Sequence, residues 1–130
     1  MNTEGLRRLI LVMHALVCAL LLRAALRTGS LRFTIRVARV AGSICRTRAT
    51  IADCVAAGRA AADEVAHATC LYRALTVYAL LAYRHPFAQF HIGAEHAGPL
   101  ATHAWASVGG RPLDSDAHLY AMLWTASREG

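Results

Sequence analysis

A cysteine stands where a helix can begin in "HATCLYRALTVYALL" (67–81), and a histidine and two carboxylates follow in "THAWASVGGRPLDSD" (102–116). Together these residue types suit one kind of chemistry. The thiolate, not the thiol, is the attacking species. At a helix N-terminus the unpaired N–H groups and the dipole favour negative charge, and the same N–H groups can donate to an oxyanion formed in acyl transfer. A histidine must come within hydrogen-bond reach of the sulfur, and a carboxylate must orient that histidine. Cys70, His103 and Asp114 are the candidates for these roles, with Asp116 a competitor for the third.

The elements that must position them can be read from periodicity. Thr69 as N-cap would put Cys70 in the first turn of a helix whose Leu71, Leu75, Tyr78 and Ala82 fall at i, i+4, i+7 and i+11. "RHP" at 84–86 ends it. Beyond Pro86 the period drops to 2. Phe90 and Ile92 alternate with Gln89 and His91, and Ala104, Ala106 and Val108 alternate with His103, Trp105 and Ser107. Gly109–Gly110 is a hairpin signal, and "RPLD" begins the return strand. A two-residue turn sets Val108 opposite Arg111 and Trp105 opposite Asp114, so His103 and Asp114 become diagonal neighbours on one face. The same register puts Asp116 directly opposite His103. A last helix is expected over 116–127, carrying Leu119, Met122 and Leu123.

Three helices are expected ahead of this half. The first covers 6–27 and is stopped by "TGS". The second lies in "LRFTIRVARVAGSI", where Phe33, Val37, Val40 and Ile44 form an apolar seam beside Arg32, Arg36 and Arg39. The third covers 50–66, with Thr50 and Asp53 at capping-box spacing and Ile51, Val55, Ala62 and Val65 on its apolar side. Helices followed by a small antiparallel sheet make an α+β arrangement. At 130 residues the chain reads as one domain, with a helical portion at 1–66 and a helix-plus-sheet portion at 67–130.

Composition narrows the class. Hydrophobic residues make up 56% and charged residues 17%, which argues against disorder. The 14 basic side chains are all arginine, and the net charge of +6 favours an anionic partner. Cys18, Cys45, Cys54 and Cys70 form no CxxC pair and no zinc spacing; reduced thiols in the cytoplasm are the simpler expectation. The first three of these cysteines sit in helical seams and are assigned to packing. No cofactor or metal is expected, since His85, His91, His96 and His103 match no familiar ligand set. The apolar run Leu9–Leu22, interrupted by His14 and closed by Arg23, falls short of the roughly 20 residues a spanning helix needs. A core or partner-facing helix is the first reading and membrane association the second.

The constellation "CLYRALTVYALL … FHIGAE … THAWASVGGRPLD" closely resembles the transglutaminase-like cysteine protease of lasso-peptide biosynthesis, the leader peptidase. Cys70, Leu71 and Arg73 match its Cys-Leu-x-Arg helix start, Ile92 and Gly93 its strand ending in hydrophobic-Gly, and His103, Ala104 and Trp105 its His-Ala-Trp. The likeness covers about residues 68–116. It implies a transglutaminase/papain-like fold with Cys70 as nucleophile, His103 as general base and Asp114 as orienting acid. The pattern's acidic residue is expected about one position later, where Ser115 stands between Asp114 and Asp116. Arg73 then contacts substrate or forms a structural ion pair, and Trp105 lines the substrate groove or packs.

The implied reaction is removal of the leader from a ribosomally made precursor peptide, whose freed core amine an ATP-dependent lasso cyclase would use. Leader-binding modules of such pathways resemble small winged-helix domains, and the first 69 residues show no matching strand alternation. A separate leader-recognition protein is therefore expected, docking on the 6–27 helix or the Arg32/Arg36/Arg39 face. Amine transfer by a true transglutaminase would use the same three residues. A metal hydrolase, and a basic helical adaptor for membrane or nucleic acid, are the other readings; the first lacks ligand spacing and the second leaves the His-Ala-Trp hairpin unexplained.

Overall fold

The computed structural model describes residues 2–67, 69–95, 102–113 and 120–127. Four helices, α1 (Thr3–Thr28), α2 (Leu31–Ser43), α3 (Ile51–Val65) and α4 (Cys70–Leu81), precede strands β1 (Ala88–Glu95), β2 (Thr102–Val108), β3 (Arg111–Pro112) and β4 (Tyr120–Ser127). The strands form one antiparallel sheet in the order β3-β2-β1-β4. The architecture is the α+β arrangement expected from the order of periodicities.

Local chemistry fixes the helix starts. The side chains of Asn2, Ser30, Thr50 and Thr69 each accept a hydrogen bond from an amide three residues on, which satisfies a donor that the helix itself leaves unpaired. The Asn2 cap begins α1 three residues ahead of the expected start. Capping by Thr50 and Thr69 agrees with the sequence reading.

Helix α4 is the hub. Every residue from Ala74 to Ala82 is buried, so the seam through Leu75, Tyr78 and Ala82 is only part of a helix enclosed on all sides. Tyr72 Oη donates to Ala19 O of α1 at 2.5 Å, and the Tyr78 ring lies 6.2 Å from Phe90 of β1. Phe90, Ala104, Ala106 and Ala126 bring the sheet's inner face into the same core.

Two expectations fail, each for a definite reason. Tyr120–Ser127 is a strand rather than the end of a helix over 116–127. It pairs with β1 through a bulge: Ile92 faces Trp124 while Gly93 faces Met122, which leaves Leu123 as the extra residue. The bulge breaks the two-residue alternation and leaves Met122 and Leu123 both exposed, which imitated helical spacing. Residues 116–119 of that expected helix lie outside the described residues. The α2 seam is also turned around. Phe33, Val40 and Ile44 are exposed, while Thr34, Ile35, Ala38, Ala41 and Gly42 pack inward. Small residues win the inner face because helices approach closely there: a Cβ on Gly42 would come within 2.2 Å of Ala79 O.

Candidate active site

Cys70 is the first residue of α4 and is half-buried. Thr69 Oγ1 accepts from the Tyr72 amide at 3.2 Å and Thr69 O from the Arg73 amide at 3.0 Å, which fixes the turn on which the sulfur sits. The other three cysteines differ. Burial pushes the Cys18 thiol up to about 12 and the Cys54 thiol up to about 11, so both are inert packing groups. Cys45 departs from its expected place in a helical seam. It lies just beyond α2, half-buried, with its sulfur 3.0 Å from Thr47 Oγ1. Burial alone would raise its pKa, but hydrogen bonds from Thr47 and the nearby Arg84 guanidinium outweigh that and lower it.

His103 reaches the same region from β2. Gly109 and Gly110 have φ of 59° and 79°, the left-handed conformation of a two-residue hairpin turn, and Val108 pairs with Arg111 as expected. Strand β3 stops at Pro112, although the Leu113 amide still donates to Ala106 O at 2.9 Å. Cys70 and His103, 33 positions apart in the chain, line one cleft of about 340 Å³. That size is near the lower end of the range for ligand-binding clefts. Asp114, Asp116 and Ser115 between them lie outside the described residues, as does His96.

Arg73 and Trp105 line the cleft too. Arg73 Nε is 2.8 Å from Asp63 Oδ1, a pair in which both side chains are about half exposed. Trp105 is buried and stacks between two imidazoles, with centroids 5.4 Å from His91 and 6.0 Å from His103. Its ring also lies against Gly93, where an added Cβ would meet it at 2.8 Å. Hence the hydrophobic-Gly strand end and the His-Ala-Trp run are one packing unit: glycine makes room for the indole, and the indole stacks on the histidine.

Sequence reading missed two contributors. Val55, Arg59 and Asp63 recur every four residues along α3 and supply the cleft's third wall; Arg59 Nη2 donates to Leu113 O at 3.3 Å. Of that i, i+4, i+8 stripe only the apolar Val55 carries a sequence signal; Arg59 and Asp63 become wall residues once α3 lies against α4. The second is His91, buried behind Trp105, with Nδ1 2.9 Å from Thr125 Oγ1 and Nε2 2.6 Å from Ser107 Oγ. Thr125 Oγ1 donates to Met122 Sδ, so it accepts from Nδ1–H and Nε2 accepts from the Ser107 hydroxyl. Burial lowers the His91 pKa, in keeping with a neutral ring. His85 instead bonds Ala49 O at 3.0 Å, and no group of three metal-ligating side chains converges among the described residues.

Cys70 at a helix start and His103 from the hairpin line one cleft, and these are the residue types that a thiol-dependent hydrolase or acyl transferase uses. Residues 15–125 match the transglutaminase-like superfamily, and the chain belongs to it. The superfamily's general chemistry is that of cysteine proteases and acyl transferases. No curated protein and no solved structure matches the chain.

Proposed function

We propose that this protein is a cysteine endopeptidase that removes the leader from a lasso-peptide precursor. The observation that carries the reading is the shared cleft of Cys70 and His103, together with the Cys-Leu-x-Arg and His-Ala-Trp motifs that supply them. The Cys70 thiolate attacks the scissile carbonyl carbon, and the carbonyl π pair moves to oxygen. The Cys70 and Leu71 amides precede the helix's first internal bond and are the donors available to that oxyanion. His103 then gives its proton to the departing amine of the core peptide, leaving the leader as a thioester on Cys70. His103 next takes a proton from water, hydroxide adds to the thioester, and the leader leaves with a free carboxylate. Asp114 orients His103, with Asp116 the competing carboxylate. Trp105 forms part of the groove floor, and Arg73 contacts the substrate beside the nucleophile.

A separate leader-recognition protein delivers the precursor in the cytoplasm, and the freed amine passes to an ATP-dependent cyclase. The deciding experiment incubates the protein with its precursor and the recognition partner, followed by mass spectrometry. Two fragments with one water added between them are expected. Cys70→Ala should reduce their formation by a factor of about 10³ or more while circular dichroism stays unchanged. A cross-linked peptide that has lost ammonia would instead establish acyl transfer. Undiminished cleavage by the Cys70→Ala protein would remove the proposal altogether.

A further inference from the structure

The outer face of α1 is apolar and uncovered. Leu6, Leu9, Val12, Met13, Val17, Leu20 and Leu21 are all exposed, with Met13 and Leu20 each at 58%. At 1.5 Å per residue, the stretch from Leu6 to Leu21 runs about 22 Å. The outward side of α1 carries no charge between Arg8 and Arg27: the one intervening arginine, Arg23, is half-buried and donates to Val65 O at 2.9 Å. Helix α2 adds exposed Phe33, Val40 and Ile44. Isolated exposed apolar residues need no explanation, but a continuous helical face of them does.

Charge identifies what covers it. Between Glu4 and Asp53 there are nine arginines and no carboxylate, a net +9; from Asp53 to Gly130 five arginines meet seven carboxylates, a net −2. Arg7, Arg8, Arg27, Arg32 and Arg36 are exposed at the ends of the apolar face or on the helix that follows it. We infer that α1 and α2 seat this protein on an anionic lipid surface, with the apolar face of α1 in the headgroup–acyl boundary and the flanking arginines on lipid phosphates.

The helix lies in the surface and does not cross it, although it is long and apolar enough to span a bilayer. Its other side is committed to the core: Leu11, Ala15, Cys18, Ala19 and Leu22 are buried. His14 is held there as well, with Nε2 2.7 Å from Ala41 O and Nδ1 3.0 Å from Arg84 Nη1. Spanning would tear all of these out, whereas lying flat disturbs none. The inference does not depend on the peptidase reading, because it concerns a face without Cys70 or His103.

The test is co-sedimentation of the full chain with vesicles of phosphatidylcholine containing about one quarter phosphatidylglycerol, against phosphatidylcholine alone. Binding to the anionic vesicles only, weakened by salt, is expected. The double variant Met13→Asp/Leu20→Asp should lower that binding about tenfold or more. Arg32→Gln/Arg36→Gln should lower it about fivefold for each arginine removed. Both variants change exposed side chains, so circular dichroism and the urea midpoint should hold, and the arginine variant tests the idea even if the aspartates disturb folding. The inference is overturned by absence of binding to anionic vesicles, or by binding indifferent to either variant. It is equally overturned if light scattering shows a dimer that Met13→Asp/Leu20→Asp dissolves; a second copy would then be the cover.

Discussion

Helices α1 and α4 both carry long apolar runs, yet the fold uses them in opposite ways. Helix α4 is enclosed by α1, α2, α3 and the sheet, and nine consecutive residues from Ala74 to Ala82 are buried. Helix α1 buries one side and presents leucines, valines and a methionine on the other. A helix that is hydrophobic all round belongs in a core or against an apolar partner. In α4 the partner is the rest of the chain. In α1 the outer half is left exposed, and the arginines bracketing it mark that half as different. Hydrophobicity alone does not distinguish a hub from a docking helix; the placement of charge around it does.

The same substitution in the two helices should separate them most sharply. Leu75→Ala removes a fully buried side chain and should cost about 2–5 kcal/mol by urea denaturation. Leu20→Ala removes an exposed one and should shift stability by no more than about 0.5 kcal/mol. Equal costs would mean that α1 is packed on both sides in solution, and the contrast would collapse.

Acid should probe both regions next. His14 in the helical half and His91 in the sheet are each held below the ordinary value of 6.5, in both cases chiefly by burial. For His14 the Ala41 carbonyl works against that lowering and Arg84 adds to it. The unfolded chain therefore takes up protons that the folded chain refuses. Stability is complete above pH 6.5 and declines as pH falls below it, by up to about 1.4 kcal/mol per pH unit for each ring. In His91→Gln the decline measured by urea midpoints should lose one ring's share. A slope unchanged by that substitution would show that His91 titrates alike in the folded and unfolded chain.

The cap on the nucleophile's helix should have a smaller effect on stability. Thr69→Ala frees the Tyr72 amide and should cost about 1 kcal/mol, while Thr69→Ser should restore most of it. Both can be read from urea midpoints. A Thr69→Ala protein as stable as the parent would show that the cap does not hold the turn carrying Cys70.

Much of this was legible in the sequence, unevenly. Caps at Thr50 and Thr69, the Gly109–Gly110 turn and the Val108–Arg111 register follow from local rules, and local rules were sufficient for them. Elements whose identity depends on a neighbour were lost. The strand β4 hides its period behind a bulge opposite Gly93, and the α2 seam faces outward because Gly42 lets α2 approach α4 through small residues. Cys70 and His103, singled out by residue type and by the motif likeness, line one cleft; Arg59 and Asp63 had no such signal, because their place in it depends on how α3 lies against α4. Exposure is the hardest property of all to read: nothing in "LILVMHALVCALLL" says which leucines meet solvent.

Arg73 gives the finest test, because stability and function predict different signatures there. Its pair with Asp63 is short at 2.8 Å, but side-chain exposures of 45% and 50% leave it largely screened by water. Arg73→Gln and Asp63→Asn should each change stability by no more than about 0.5–1 kcal/mol, with a coupling in the double variant no larger than that. If the arginine served only the pair, both substitutions would affect peptide cleavage alike. A guanidinium that meets the substrate beside Cys70 instead makes Arg73→Gln raise KM, while Asp63→Asn leaves the charge in place and changes KM far less. Equal KM values for the two variants would assign Arg73 to the scaffold, and the cleft's contact with substrate would then fall to Trp105 and the α3 wall.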